Sequence, residues 1–255
     1  MTTINAKMDN TTRFTDRVEY YAAFRPTYPD SVIEYLRHEV GVVPGSVVVD
    51  VGSGTGISSD LFLRHGHEVY AVEPNAGMRK AAELALRHHP GFHSVDATAE
   101  HTTLPEACAD VIVSASAFHW FDAALARAEF RRILRPGGVV IVMGNGRRKG
   151  GSLFTRAYDE LVHKSSVPAR AHENREERVR EFVGDGMQTG GIEYTELLNY
   201  RALSGRTLSY STIPLAGQPG HETMMRELRV LFDAAAKGSS VEYEGQVKLY
   251  WNRWC

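Results

Sequence analysis

Cysteine is nearly absent from this chain. Cys108 and Cys255 are the only two among 255 residues. Such a pair makes no disulfide framework and no metal cluster. The scarcity fits a reducing compartment, so a cytoplasmic location is expected. Cys108 reads as a small, half-buried residue rather than a nucleophile. Long apolar runs are missing too. Nothing approaches the ~18 consecutive apolar residues of a membrane span. Met1 to Asn10 is polar and lacks the apolar stretch of a signal peptide. No membrane partner is therefore expected. Charge of one sign is also in short supply: 29 lysines and arginines face 31 acids, a net charge of -2. That leaves no electrostatic footprint for phosphate backbones, so no nucleic-acid partner is expected. Histidines such as His65, His88 and His89 fall in no metal-ligand grouping and read as surface residues, so no metal is expected. Internal repeats and low-complexity tracts are absent.

What remains is ordinary globular material, 43% hydrophobic and 24% charged. The length suits one domain with a decorated core. Its most informative stretch is Val47-Val48-Val49-Asp50-Val51-Gly52-Ser53-Gly54-Thr55-Gly56. An apolar run without alternation reads as a buried parallel strand. It leads into a carboxylate and then into glycines at alternate positions. Glycine allows backbone angles and close ligand approach that other residues do not.

The same rhythm continues. Thr27-Tyr28-Pro29-Asp30 leads into a helix from Ser31 to Leu36, with Asp30 or Ser31 as its cap. Ile57 to His65 reads as a helix closed by Gly66. Strands are expected at Glu68 to Glu73, Phe92 to Asp96, Ala109 to Ser114 and Val139 to Met143. Helices are expected at Ala76 to His88 and Ala123 to Leu134. Strands alternating with helices mean a parallel sheet covered on both faces. Beyond Gly144 the pattern loosens. A helix is expected from Leu153 to Lys164, and His172 to Arg180 reads as a solvated charged helix face. A strand near Met187 to Tyr194 and a helix near Glu196 to Ser209 follow. His221 to Lys237 is an amphipathic helix burying Met224, Met225, Leu228, Leu231 and Phe232. Val241 to Trp251 reads as the last strand.

The dinucleotide fingerprint Gly-x-Gly-x-x-Gly is broken here. Gly52 and Gly54 match it, but position 57 is isoleucine and the third glycine is Gly56. Asp50, at the strand end, would repel a pyrophosphate; it suits a ligand with an amine and a sulfonium. Glu73 ends the second strand, where a carboxylate can accept from both ribose hydroxyls. Asp96 ends the third, where it could accept from an adenine amino group. Three acids at successive strand ends, none with a basic neighbour in sequence, read as a cationic nucleoside site. The blander reading is that each only caps the following helix.

At these residues a resemblance emerges. Val47 to Met143 resembles the class I S-adenosylmethionine-dependent methyltransferases. The glycine loop Asp50 to Gly56 matches that family, as does Glu73-Pro74-Asn75, with Met78 placed to pack on the adenine. Val95-Asp96-Ala97 matches its adenine-edge segment, and Leu134 to Gly138 its turn before the fifth strand. Ser114-Ala115-Ser116-Ala117-Phe118-His119-Trp120-Phe121-Asp122 narrows the likeness. So do Tyr21 to Pro29 and Lys248 to Trp251. They resemble the small-molecule branch that contains trans-aconitate methyltransferase-like proteins.

The resemblance implies an α/β, doubly wound, seven-stranded, mostly parallel sheet with an antiparallel last strand and a helical lid insertion. It implies four segments: a cofactor-covering segment at 1–45, the core at 46–144, a substrate lid with the sixth strand at 145–215, and a final helix and strand at 216–255. Ser114 and Ala115 would lie beside the sulfonium, with Phe118, His119 and Trp120 flanking the ligand. Tyr21 and Arg25 would fold over the cofactor, a guanidinium being suited to a carboxylate. Tyr21, Phe14, Trp120 and Tyr210 could hold the sulfonium by cation–π contact. His119 is the candidate base, with Tyr21 beside it as a catalytic candidate. Asn145, after the fifth strand, and Tyr210 are the candidate substrate contacts; Asn145 also reads as a turn residue. The expected reaction is methyl transfer to a small molecule by a monomer or homodimer. Two rivals stand: an S-adenosylmethionine enzyme that cyclises its donor and releases methylthioadenosine, and a non-catalytic binding protein.

Overall fold

The computed structural model describes residues 23–166 and 175–254. Its centre is a seven-stranded sheet: β1 (Val47–Val51), β2 (Glu68–Val72), β3 (Phe92–Val95), β4 (Ala109–Ala115), β5 (Leu134–Arg147), β6 (Gln188–Asn199) and β7 (Ser240–Arg253). The spatial order is β3-β2-β1-β4-β5-β7-β6. The first five strands run parallel, and β7 enters antiparallel between β5 and β6. This is the doubly wound α/β class that the strand–helix alternation implies.

Apolar side chains on both faces account for the layers. One face buries Val49, Val51, Ile112 and Val140 under α4 (Ala123–Ile133) and α6 (Arg175–Val183). The other buries Val48, Val111, Val113 and Ile141 under α1 (Ser31–Tyr35) and α2 (Ile57–Arg64). Leu86, from α3 (Ala76–Leu86), joins that second face. A third core lies over the far ends of β6 and β7. There α5 (Leu153–Ser165), α7 (Tyr200–Leu208) and α8 (His221–Ala235) pack around Tyr158, Leu203, Leu228 and Tyr243. Met225 and Leu231 are only half-buried on α8, whose fully buried stripe is Met224, Leu228 and Phe232.

Several boundaries differ from the sequence pattern, each for a nonlocal reason. β5 extends to Arg147 because β7 continues to pair with it through Arg147↔Gly245. Asn145 is therefore a strand residue, not a turn residue. β6 runs to Asn199, pairing residue for residue with β7, so α7 begins only at Tyr200, capped by the Asn199 side chain. α1 is not capped by the Asp30 side chain. That carboxylate instead accepts from Arg64 at 2.7 Å and meets His65 at 3.1 Å. His65 is thus paired and half-buried. α6 is more than a solvated face: Val179, Phe182 and Val183 are buried in the sheet's core. Cys108 is half-buried, as its size suggests.

Gly56 shows how tightly this frame is packed. Its φ is +86°, and a Cβ there would lie 2.6 Å from Leu86 Cδ1 and 3.2 Å from Ala82 Cβ. Gly45 also has positive φ (+81°) but faces open space. Gly56→Ala should cost about 3 kcal/mol, combining backbone strain with overpacking. Gly45→Ala should cost about 1 kcal/mol, from strain alone. Urea unfolding of the two variants measures the difference, and equal losses would refute the packing role.

Candidate active site

The carboxyl ends of the parallel strands face one open cleft, where the strand order reverses between β1 and β4. In open α/β sheets ligands bind at such a switch point. One wall is the glycine loop with Glu73, Pro74, Asn75 and Met78; a second is Thr98, Ala99 and Glu100. The third runs from Ala115 to Ala117 and from His119 to Phe121, while Arg25 and Ser211 close the mouth.

The three glycines have separate tasks. Gly52 has φ +72°, and a Cβ there would sit 2.5 Å from Ala117 Cβ, so the loop lies directly on the post-β4 segment. Gly54 faces the cleft, with only Met78 Sδ near its missing Cβ, at 3.7 Å. Gly56 faces inward onto α3 and does not line the cleft.

Glu73 is the pivot of the site. Its Oε2 accepts from the Gly54 N–H at 2.9 Å, and its Oε1 from the Asn75 N–H at 2.8 Å. Burial raises its pKa, opposed by those two amides and by Arg79. Asn75 in turn caps α3, accepting from the Met78 N–H at 2.9 Å, which fixes Met78 at the cleft.

Asp50 lies elsewhere. It is fully buried behind the loop, not on the cleft wall. Ser58 and Ser59 donate their hydroxyls to Oδ2 at 2.6 and 2.7 Å, while Oδ1 has no partner. Burial pushes its pKa up to about 6 despite those hydroxyls. Asp96 also lies off the cleft, and it does have a basic neighbour: Arg79 Nη2 stands 2.7 Å from its Oδ2. The absence of any base in sequence proximity concealed this pair, because α3 delivers Arg79 from another element. Ala97, Ser114 and Phe118 are buried behind the wall. Phe118 packs on Phe182, 4.8 Å between ring centroids. His119 and Trp120 do reach the cleft, their rings 4.5 Å apart. Tyr21 and Phe14 lie outside the described residues.

A smaller recess adjoins the cleft, lined in part by Arg25, Tyr28, Ser58, Ser116 and Asn145. Asn145 Nδ2 donates to the Thr27 carbonyl at 3.0 Å, and its Oδ1 accepts from the Tyr194 hydroxyl. Ser116 borders both spaces with φ +59°, a conformation costly for a residue with a side chain. Tyr210 lies beneath two guanidiniums, with Arg25 5.0 Å and Arg147 5.4 Å from its ring centroid. Behind it Arg147 pairs with Asp159, and Arg206 stands 2.6 Å from Glu196 and 4.7 Å over the Tyr243 ring. Arg206 is almost wholly buried, yet its Nε and Nη1 have no hydrogen-bond partner, nor does the Tyr243 hydroxyl.

Sequence patterns gave no site role to Thr98, Ala99, Glu100, Ser116, Ala117, Phe121 and Ser211, all on the wall. The signal for the first three was the repeated alanine in Asp96-Ala97-Thr98-Ala99. Either alanine suits an adenine-edge segment, and the chain turns into the cleft two residues later than expected. Among the described residues, no group of His, Cys, Asp and Glu could hold a metal ion. No helix among them is long and apolar enough to cross a membrane.

The fold is that of the Rossmann-like methyltransferases, and the chain is similar to the class I S-adenosylmethionine-dependent family. Residues 49–142 match the family model described as a methyltransferase domain. Over 169 residues the chain is 31% identical to an uncharacterized methyltransferase of Mycobacterium tuberculosis, a match spanning 65% of each protein. A solved structure from Anaeromyxobacter dehalogenans, assigned as a type II methyltransferase, is 27% identical with a TM-score of 0.72; the match covers 91% of this chain and 98% of that one. Haemonchus contortus phosphoethanolamine N-methyltransferase 2, solved with S-adenosylhomocysteine, shares the fold at 15% identity and a TM-score of 0.53, covering 94% of this chain and 58% of that one.

The raised pKa of Asp50 predicts a pH-dependent stability. The folded protein holds this proton more tightly than the unfolded chain, so between pH 4 and 6 unfolding releases it. Stability falls as pH rises through that window, by about 3 kcal/mol, and is then flat with respect to this group. Asp50→Asn should remove the loss, making the variant the more stable form at pH 7 but not at pH 4. Urea midpoints at both pH values test this, and a variant with the wild-type pH slope would refute it.

Proposed function

We propose that this protein transfers a methyl group from S-adenosylmethionine to a small-molecule acceptor. The observation that carries the donor assignment is Glu73. Each of its oxygens already accepts one backbone N–H, which leaves acceptor capacity on both for a pair of ribose hydroxyls. Gly54 gives the ligand open access to the main chain, and Met78 supplies an apolar face for a base. His119, Trp120 and Phe121 form the opposite aromatic wall. When bound, the donor supplies a methyl already activated by its sulfonium. The protein then has to exclude water and align the acceptor in line with that methyl. His119 stands on the wall as an orienting group or base, and Arg25 at the mouth suits the donor's carboxylate.

The acceptor side is the recess lined by Ser116 and Asn145, near the lobe built from α5, α7 and α8. Around Tyr210, Arg147 pairs with Asp159 and Arg206 with Glu196, while the Arg25 guanidinium lies over the Tyr210 ring. The unpaired N–H groups of Arg206 favour an acceptor bearing an anionic oxygen.

Calorimetry should show binding of S-adenosylhomocysteine; no heat of binding would refute the donor assignment. Glu73→Gln should weaken that binding about tenfold or more, the scale of charge-assisted hydrogen bonds. Incubation with S-adenosylmethionine alone should give no turnover until an acceptor is added. Methylthioadenosine released without acceptor would favour a cyclase. Arg206→Met should raise KM for an acidic acceptor about tenfold while leaving S-adenosylhomocysteine affinity within about twofold. A shift in donor affinity instead would place Arg206 on the donor side.

A further inference from the structure

Residues 23–30 reach the cleft as a strap that is tied to several elements at once. Arg25 lines both the cleft and the recess, with its guanidinium 5.0 Å from the Tyr210 ring centroid. The Thr27 carbonyl accepts from Asn145 Nδ2 on β5 at 3.0 Å. The same amide accepts from the Tyr194 hydroxyl on β6, so Asn145 is a cross-tie between β6 and the strap. The buried Tyr28 places its hydroxyl 3.4 Å from Ser116 Oγ. Asp30 meets Arg64 and His65 at the end of α2.

A further seat is Phe24 on Gly205. Gly205 is buried inside α7, where glycine weakens a helix relative to alanine. Its φ is not positive, so the backbone does not require glycine there. The reason is steric. A Cβ at this position would fall 2.3 Å from Phe24 Cγ, 2.4 Å from Cδ2 and 2.6 Å from Cδ1. Those three atoms are the near edge of the ring, next to the Phe24 backbone. Swinging the ring tip would not clear them, so a methyl at position 205 moves the strap itself. Gly205 lines neither the cleft nor the recess.

Building on the donor assignment above, we infer that Gly205 is a positioning residue for the donor, acting from α7 through Phe24 on Arg25. Phe24 and Arg25 are adjacent, with Cα atoms about 3.8 Å apart, so unseating the first displaces the second. The guanidinium at the mouth then loses the aim that pairing with a carboxylate requires. The lobe that contains α7 thereby helps to close the donor cleft without touching it.

S-Adenosylhomocysteine is titrated calorimetrically into wild type, Gly205→Ala, Phe24→Ala, Arg25→Met and the two double variants that combine Gly205→Ala with each of the others. Gly205→Ala alone should weaken binding about tenfold, the scale of a lost charge-assisted hydrogen bond. Phe24→Ala alone should weaken it about fivefold, because the seat is gone. Once Phe24→Ala has made room, adding Gly205→Ala should change affinity by less than about twofold. In that background it should also raise the unfolding temperature by about 2–4 °C, alanine being the better helix former. With Arg25→Met present, adding Gly205→Ala should again change affinity by less than about threefold, since the group it acts through is missing. Wild-type affinity in Gly205→Ala overturns the inference. So does a tenfold loss on adding Gly205→Ala in every background, which marks a general disturbance of α7. If Gly205→Ala does not fold, wild-type affinity in Phe24→Ala overturns it and a fivefold loss there supports it. Failure of wild type to bind the ligand is the separate failure of the donor assignment.

Discussion

The hydrogen bond from the Gly54 N–H to the Glu73 carboxylate is the constraint on which this site depends. It joins the loop after β1 to the end of β2, strands that are neighbours in the sheet but have a full helix between them in sequence. A buried carboxylate is costly unless hydrogen-bonded. Glu73 meets that cost by organising its surroundings. Gly54 is drawn toward it, Asn75 donates to its other oxygen, and Asn75 then caps α3. The cap positions Met78, and one turn on, Arg79 returns to the Glu73 carbonyl and reaches β3. A single acid thus sets the loop, the helix start and two strand ends. The same acid lines the cleft, so the geometry that folds the segment also shapes the cleft wall.

Asp50 is the contrasting acid. It is buried behind the same loop with one oxygen satisfied by two serine hydroxyls and the other by nothing. Its position at the strand end gives it the look of a ligand contact. In the structure it holds the first turn of α2 against β1 through Ser58 and Ser59. Ser58 lines the smaller recess, so any influence of Asp50 on a ligand passes through that hydroxyl. The stability it forgoes as a buried charge near neutral pH is the cost of an acid at this place.

These two residues show what could be read from the sequence and what could not. The parallel half of the sheet was legible because its order follows from local alternation: apolar strand, turn, amphipathic helix. The glycine loop, Glu73 and Met78 were legible because they are spaced along one short stretch. Asp96 misled because the spacing Asp-Ala is repeated as Thr-Ala two residues later, and only the turn into the cleft separates them. Its partner Arg79 lies seventeen positions away, beyond any local pattern. The ends of β5 and β6 were cut short for a similar reason. Those residues are strands because β7 pairs with them, and β7 comes from the far end of the chain. Tyr21 and Phe14 fall outside the described residues, so their placement carries nothing here.

Under the proposed methyl transfer, the donor half and the acceptor half of the site therefore differ in kind. The donor half is built from consecutive strand ends, each contributing one or two adjacent residues. The acceptor half is assembled from Arg25 ahead of α1, Asn145 and Arg147 on β5, Tyr194 and Glu196 on β6, Arg206 and Tyr210 around α7, and Tyr243 on β7. No window of sequence contains two of these elements together with their partners. Among the described residues the cleft and the recess share Arg25, Gly52, Ala115 and Ser116, and Glu73 lines only the cleft. The post-β4 segment carries its own strain at Ser116, where a side chain occupies a backbone conformation it disfavours. Ser116 borders the donor cleft and the recess at once. The strain is thus placed on the boundary between the cleft and the recess.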